Sequence, residues 1–221
     1  MTGLITKDFC LIKQRKTTLV IFVGLALFMS MYMDASFLVS YLCMMGVIMA
    51  VSTISLDEYE NGYAFLMTLP IDAKTYAIEK YLFGSIFLAL FWCASIVLQI
   101  ISNTIHHVPF VWKELLAMDL LFIPVFLIFL GIYIPIQIKF GAEKSRIAIF
   151  VIFGFVIVVT MMGRTLLTSA NIDLQKSMEN VFLWLDRIPV AAIAGALAVI
   201  TLLLVSLSLL ISIRIMQRKE Y

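Results

Sequence analysis

Charged side chains are scarce in this chain. Asp, Glu, Lys and Arg make up 14% of its 221 residues, whereas soluble domains carry about 25%. Hydrophobic residues reach 63%, and the mean hydropathy is +1.07. The net charge of +2 gives no indication of a nucleic-acid partner, because the basic residues form short clusters beside apolar runs instead of a continuous stripe. The composition therefore predicts a polytopic membrane protein.

Cysteines and enzyme motifs are also lacking. The three cysteines, Cys10, Cys43 and Cys93, are widely separated, so the sequence offers neither a disulfide framework nor a zinc-ligand spacing. The pair His106-His107 has no convergent third ligand, and we expect no metal there. No phosphate cradle of the form G-x-x-x-x-G-K-[ST], zinc helix H-E-x-x-H or nucleophile elbow G-x-S-x-G occurs. We expect that the chain is not an enzyme by itself and binds no cofactor.

Long apolar runs are what the sequence has in abundance. A helix needs about 17–25 apolar residues to cross a bilayer. Six stretches reach or approach that length: Thr17–Met33, Phe37–Ile54, Tyr81–Asn103, Leu115–Ile138, Ile147–Met162 and Val190–Ile213. The predicted fold is an all-α polytopic membrane protein with six transmembrane helices, forming a single domain over 1–221. Spans one and two lie in 17–54, spans three and four in 81–138, and spans five and six in 147–221.

The distribution of Lys and Arg predicts the orientation. With both termini inside, 12 of the 16 Lys and Arg residues fall in inner segments and 4 in outer ones. The positive-inside rule therefore places both termini in the cytoplasm. A cleaved signal ending near Ala35 is the alternative, but its removal would leave an odd number of spans and invert the charge bias of every later loop.

A short amphipathic helix is predicted before the first span, over 1–16. Ile5, Phe9 and Ile12 recur at helical spacing, and Lys7 and Lys13 fall on other faces. We expect an interfacial helix whose lysines point towards anionic headgroups.

A second amphipathic segment is predicted outside the membrane, over 164–189. Leu174, Met178, Val181 and Leu185 form an apolar stripe, and Pro189 ends the helix. This segment lies either on the outer leaflet or against a partner subunit, and the pattern does not separate the two.

Polar groups are few inside the predicted spans. No ionisable residue falls near a bilayer midplane, which disfavours an ion-coupled pump. Asp119, near the outer end of the fourth span, has Lys113 and Arg164 as candidate partners. In the same span, Pro124 and Pro135 loosen the helix, giving either a hinge or a static kink.

Two segments between spans look like docking surfaces for another protein. The first, over 55–80, contains Phe65 and Leu69 on one face of a short helix that Pro70 ends, surrounded by charged residues. The second, over 139–146, is rich in charge. A loop that only connects two spans needs neither an apolar patch nor a charged collar, so we expect a membrane subunit driven by a separate protein.

These segments resemble a known family. The run Asp57-Glu58 … Gly62 … Thr68-Leu69-Pro70-Ile71 … Lys80-Tyr81 resembles the stretch after the second span in permeases of the ABC-2 type exporters. The run Pro135 … Lys139-Phe140-Gly141-Ala142-Glu143-Lys144-Ser145-Arg146 resembles the second cytoplasmic loop of the small Gram-positive members, and Ser212-Ile213-Arg214 … Arg218-Lys219-Glu220 is similar to their ending. In its short length and loop pattern, the chain is most similar to permeases of phenol-soluble modulin and related amphipathic-peptide exporters.

The resemblance implies a permease subunit in the bacterial plasma membrane. It pairs with a second permease copy, identical or not, and with two ATP-binding subunits that hold ATP and Mg. Residues around Tyr63–Asp72 would form a coupling helix in a groove of the ATPase, and Phe140–Arg146 a smaller contact. The candidate ATPase-coupling residues are Tyr63, Phe65, Leu66, Leu69, Pro70, Asp57, Glu58, Phe140, Glu143 and Arg146.

The expected cargo is amphipathic or hydrophobic, such as modulin-type toxins or antimicrobial peptides. Flexible methionine and aromatic side chains adapt to varied apolar shapes, and the chain has 13 Met and 17 Phe. The candidate substrate-cavity residues are Met45, Met49, Ser95 and Gln99. Two other classes remain open: a non-transporting membrane scaffold or immunity protein, and an intramembrane enzyme.

Overall fold

Helices make up nearly all of the chain that the computed structural model describes, which covers residues 2–32, 35–59, 62–63, 72–105, 112–169 and 190–218. Within these ranges there is no strand, which confirms the all-α prediction. The six helices are α1 (Thr2–Gln14), α2 (Lys16–Ser30), α3 (Ala35–Glu58), α4 (Ala73–Ile105), α5 (Trp112–Ser169) and α6 (Val190–Gln217).

Four of these helices are long and apolar enough to cross a membrane. The qualifying stretches are Phe37–Glu58, Ala73–Ile105, Asp119–Gly163 and Ala192–Gln217. The helix over Lys16–Ser30 is apolar but shorter. The chain is therefore a membrane protein.

Helix α5 folds back on itself at Gly141, the one residue inside it with non-helical angles (φ 75°, ψ 179°). The rings of Phe129 and Phe153, which lie equally far before and after Gly141, have centroids 6.2 Å apart. A straight helix would separate them by about 36 Å. We call the two halves the first arm (112–140) and the second arm (142–169), and together they form an antiparallel hairpin. Within the segment predicted as the second loop, 139–146, all residues except Gly141 are helical, and this one glycine makes the turn.

Contacts between distant residues define two ends of the helix bundle. At one end, Glu58 of α3 bonds Ala142 of the hairpin turn, and Tyr81 near the start of α4 bonds Ser212 near the end of α6. We call this the charged end, because the buried Lys, Asp and Glu of α1, α3 and α4 lie there too. At the opposite end, Ser102 of α4 donates to the carbonyl of Ser30 at 2.7 Å. From α2 onward, and with the two arms of α5 counted separately, successive helices therefore run in alternating directions.

Close packing of α3, α4 and the first arm fixes the interior. Small residues allow the approach: a Cβ on Gly84 would lie 2.7 Å from Leu130 Cδ1, so no larger residue fits without movement. Helix α1 lies across α3 and α4 and buries Leu4 and Ile12. Apolar burial of this kind contributes about 1.5–3 kcal/mol per large side chain relative to water.

The helices extend beyond the predicted spans. Helix α3 continues to Glu58, past the predicted end at Ile54, and α4 begins at Ala73, before the predicted start at Tyr81. Residues 60–61 and 64–71 of the predicted first docking segment lie outside the described residues, as do 170–189 of the predicted external segment and the histidine pair.

Candidate functional site

A cluster of five charged side chains, four of them buried and one partly buried, lies where α1, α3 and α4 meet. It consists of Lys7 and Asp8 from α1, Asp57 from α3, and Glu79 and Lys80 from α4, and we call it the charged cluster. Asp8 and Glu79 are 0% exposed and Lys80 2% exposed. Ions removed from water this completely persist only when they are paired and hydrogen-bonded. The sequence predicted that Lys7 points towards lipid headgroups, but in the structure it pairs with Asp57.

Lys80 supplies the main positive charge of the charged cluster. Its ammonium group contacts Asp8 Oδ2, lies 2.8 Å from Asp57 Oδ2 and 3.2 Å from Thr53 Oγ1. An ammonium has three N–H donors, so each donor has an acceptor. Because the acceptors belong to α1 and α3, Lys80 holds three helices together at one point.

Asp57 accepts bonds from several directions. Lys7 Nζ and Lys80 Nζ contact its two carboxylate oxygens, and the hydroxyl of Tyr76 donates to Oδ2 at 2.9 Å. Asp57 lies in the last turn of α3, where the partial negative charge of the helix end disfavours a carboxylate. The two lysines offset that repulsion. Tyr76 also packs edge-on against Tyr63, with ring centroids 5.7 Å apart, so the cluster reaches the first residue of the predicted coupling helix.

Glu79 is the exception in the cluster. Both of its carboxyl oxygens are buried and have no hydrogen-bond partner among the described residues, and Lys80 Nζ is 3.7 Å away. The cluster therefore holds three carboxyl groups against two ammonium groups. The described residues include no group of His, Cys, Asp and Glu that could hold a metal ion.

A second polar network fastens the α5 hairpin to the end of α3. The backbone N–H of Ala142 donates to Glu58 Oε2 at 2.7 Å, so Glu58 caps the start of the second arm from a position 84 residues away. A carboxylate is favourable there because unpaired N–H groups and the positive end of the helix dipole meet at a helix N-terminus. Gln137 then bridges α3 and the second arm: its Nε2 donates to Ser55 at 2.7 Å and its Oε1 accepts from Ser145 at 2.5 Å.

The predicted coupling residues occupy different positions relative to these networks. Asp57 and Tyr63 are buried in or beside the charged cluster, and Glu58 is bonded to the hairpin turn. The side chains predicted for the second contact are exposed beside that turn: Phe140, Glu143 and Arg146. Phe65, Leu66, Leu69 and Pro70 lie outside the described residues.

The predicted substrate-cavity residues lie within the packed interior of this single chain. Met49, Ser95 and Gln99 are buried, and Met45 packs against the apolar core of α3 and α4. Gln99 Nε2 donates to Asp119 Oδ2 at 3.0 Å, a partner that the sequence did not suggest. The sequence suggested Lys113 and Arg164 as partners of Asp119, and the side chains of both lie outside the part of the chain that the structure describes.

Asp8, Tyr76 and Lys80 are functional candidates that were missed from the sequence. A signal existed for Asp8, which lies at i+4 from Leu4 and i−4 from Ile12, on the buried stripe of an amphipathic helix. An acid at such a position requires a basic partner. The partner lies 72 residues away, however, and no local pattern identifies it.

Apolar helices with buried ion pairs at one end define a polytopic helical membrane protein. The chain belongs to the ABC-2 family of transporters: the family model, described as ABC-2 family transporter protein, matches residues 3–217. Searches of curated proteins and of solved structures gave no significant match. The family makes the chain a transporter membrane subunit and implies an ATP-binding partner.

Proposed function

We propose that the chain is the permease subunit of an ATP-driven exporter of amphipathic or hydrophobic cargo, most similar to the modulin-type peptide exporters. It crosses the plasma membrane six times with both termini in the cytoplasm. A second permease copy and two ATP-binding subunits complete the transporter, and ATP and Mg bind to the latter. The observation that supports the proposal is that Glu58, at the edge of the first predicted ATPase contact, bonds Ala142 in the second.

The bond between the two predicted docking segments joins residues that are far apart in the sequence. The sequence separates them, yet Glu58 at the edge of the first touches Ala142 inside the second. Around this junction, Phe140, Glu143 and Arg146 are exposed, with Phe140 44% exposed. A single partner surface can therefore contact both segments at once.

The helix lengths and the hairpin support the proposed six crossings. The first crossing is α2 with the residues that follow it, α3 and α4 are the next two, the arms of α5 are the fourth and fifth, and α6 is the sixth. This order brings the N-terminus, both docking segments and the end of α6 to one side. The same side carries 12 of the 16 basic residues, as expected for the cytoplasmic side.

The charged cluster explains how force on the coupling segment reaches the spans. The segment over 64–71 is flanked by Asp57 and Tyr63 on one side and by Tyr76 and Lys80 on the other, and all four are in contact. Separating buried ions costs about 3–5 kcal/mol when one partner is lost. Movement of segment 64–71 therefore moves α1, α3 and α4 together and does not separate them. Glu58 passes the movement to the α5 hairpin.

The apolar surfaces fit amphipathic cargo. Large side chains along the second arm and α6 are exposed, such as Phe150 (78%) and Leu202 (66%). Among the described residues, the buried charges lie near the two ends of the bundle, so there is no ion site halfway along it. We propose that Met45, Met49, Ser95 and Gln99 approach the cargo when the two permease copies move.

The experiment compares Phe65→Asp with Tyr59→Asp. Both replace an aromatic side chain by an acid in the same connecting segment, but only Phe65 lies on the predicted docking face, whereas Tyr59 is 73% exposed. Burying a charge in the ATPase groove, with the loss of about 1.5–3 kcal/mol of apolar contact, should weaken docking at least about tenfold.

The readout is co-purification of the ATP-binding subunit with the tagged permease. We expect loss of the ATPase with Phe65→Asp and retention with Tyr59→Asp. Full retention by both monodisperse variants would contradict this docking site. No ATPase with the unaltered permease would favour the scaffold alternative.

A further inference from the structure

An apolar cavity lies between the first arm of α5 and α6, and apart from Phe140 its lining residues are not used in the proposed transport cycle. Its volume is about 520 Å³, and its lining runs from Ile128 to Phe140 on one helix and from Leu204 to Ile215 on the other. These stretches are about 17–18 Å long. Small residues create the space, since Gly131 and Ser208 face each other across the helix contact.

Hydrogen bonds join the helices that form the walls of the cavity. Pro135 lacks an N–H, so the carbonyl of Gly131, one turn earlier, loses its helical donor. The hydroxyl of Ser208 donates to that carbonyl, and Ser208 in turn accepts from Tyr81, 2.6 Å away. An unsatisfied carbonyl inside the bilayer would cost several kcal/mol. This chain of bonds therefore fixes the spacing of α5 and α6.

One end of the cavity is positively charged. Lys139 lines it two residues before the turn at Gly141, hence at the charged end, and its Nζ lies 5.1 Å from the centroid of the Phe140 ring. Lys139 is exposed, and among the described residues no carboxylate lies within 4.0 Å of it, whereas Lys7 and Lys80 at the same end are paired. Arg218 follows Ile211 and Ile215 at helical spacing, which adds positive charge on the same face of α6.

The mouth of the cavity opens to the side of the bundle. The lining residues Ile132, Leu207 and Ile211 are 48%, 59% and 44% exposed. In a membrane protein this lateral surface faces acyl chains, and an apolar cavity does not hold water. An elongated apolar slot with an unpaired cation at the interface matches an anionic amphiphile.

We infer that this cavity binds an anionic phospholipid of the leaflet at the charged end, with an acyl chain between α5 and α6 and the phosphate at Lys139. The inference rests on the membrane location that the family gives and is independent of export. A basic residue at an anionic lipid surface strengthens binding by a factor of about five. A zwitterionic lipid gains little from the same residue.

Native mass spectrometry of the purified chain with added phosphatidylglycerol or phosphatidylcholine tests the charge requirement. We expect Lys139→Gln to lower phosphatidylglycerol affinity about five-fold and to leave phosphatidylcholine unchanged. Lys144→Gln is the matched control, because Lys144 is exposed on the same hairpin but does not line the cavity. Equal affinity for the two lipids, or equal effects of the two substitutions, would overturn the inference.

Cavity filling tests the acyl-chain site. Ile132→Trp narrows the mouth, and Ile152→Trp is its control on the second arm, where Ile152 is 42% exposed and lies outside the cavity. With phosphatidylglycerol carrying a photoreactive group on its chain, we expect crosslinks concentrated on the cavity lining and lost in Ile132→Trp alone. Crosslinks spread equally over the second arm would contradict the site. So would displacement of the lipid crosslinks by an amphipathic peptide, because the cavity would then be a cargo site.

Discussion

Replacing Gly141 by alanine should destabilise the α5 hairpin and lower the free energy of unfolding. At φ 75° and ψ 179° this residue adopts a conformation essentially restricted to glycine, and a side chain there costs about 1–3 kcal/mol. The new Cβ would also lie 2.3 Å from Glu58 Oε1 and 2.8 Å from Oε2. Glu58 would have to move away and release the N–H of Ala142.

The loss of that bond adds to the backbone strain. A hydrogen bond to a charged group contributes about 1.5–3 kcal/mol, so the total expected for Gly141→Ala is about 2.5–6 kcal/mol. This is a large share of the roughly 5–15 kcal/mol by which folded proteins are stable. Gly154→Ala is the control in the second arm, since a Cβ there meets nothing within 4 Å and alanine favours a helix.

Unfolding in mixed detergent and SDS micelles, followed by circular dichroism, measures the effect. We expect Gly141→Ala to lower the free energy of unfolding strongly and Gly154→Ala to change it by less than about 1 kcal/mol. In a Glu58→Ala background, Gly141→Ala should cost about 1.5–3 kcal/mol less, because the clash and the lost bond are already absent. Equal costs for both glycines, or strict additivity with Glu58→Ala, would refute the reasoning.

Further predictions concern the charged cluster and the topology. Asp8→Asn weakens the hold of Lys80 on α1, and hydrogen exchange of the α1 amides should rise, since about 1.5–3 kcal/mol of charge-assisted bonding is lost; unchanged exchange would contradict the α1 contact. Glu79→Gln also converts an acid to its amide, but it removes a buried carboxyl group that has no hydrogen bond, so thermal stability should stay unchanged or rise. A loss of thermal stability as large as that of Asp8→Asn would show that the Glu79 carboxylate is required. Cysteines at Asn61 and Ala142, in a cysteine-free background, should resist an impermeant thiol reagent added outside intact cells, and labelling of either would contradict cytoplasmic docking segments.

The sequence predicted the helical class and the order of the apolar helices because both depend on local apolar runs. It could not predict the turn in α5. Charged residues around Gly141 suggested a loop, but all of them continue the helix on either side. Only the glycine departs from helical angles, and Glu58 stabilises the new helix start from 84 residues away. Such a cap has no local signature.

The charged cluster of the candidate site likewise depends on long-range contacts that no local sequence pattern reveals. Lys7 was expected to face lipid headgroups, as isolated lysines near a membrane do. Its pairing with Asp57 and the burial of Lys80 against Asp8 depend on contacts between different helices, which are a property of the tertiary packing. The docking face at Phe65 and Leu69, by contrast, depends on local spacing and stays a prediction from the sequence.

ATP-dependent transport by the reconstituted complex tests the central claim most directly. Inverted membrane vesicles containing the permease, its ATP-binding subunit, or both are given a fluorescent amphipathic helical peptide and ATP. We expect ATP-dependent accumulation of the peptide only when both subunits are present, and its loss when the ATPase carries a substitution in its phosphate cradle. Accumulation driven by the permease alone, or none with an intact, ATP-hydrolysing complex across a range of amphipathic peptides, would contradict it.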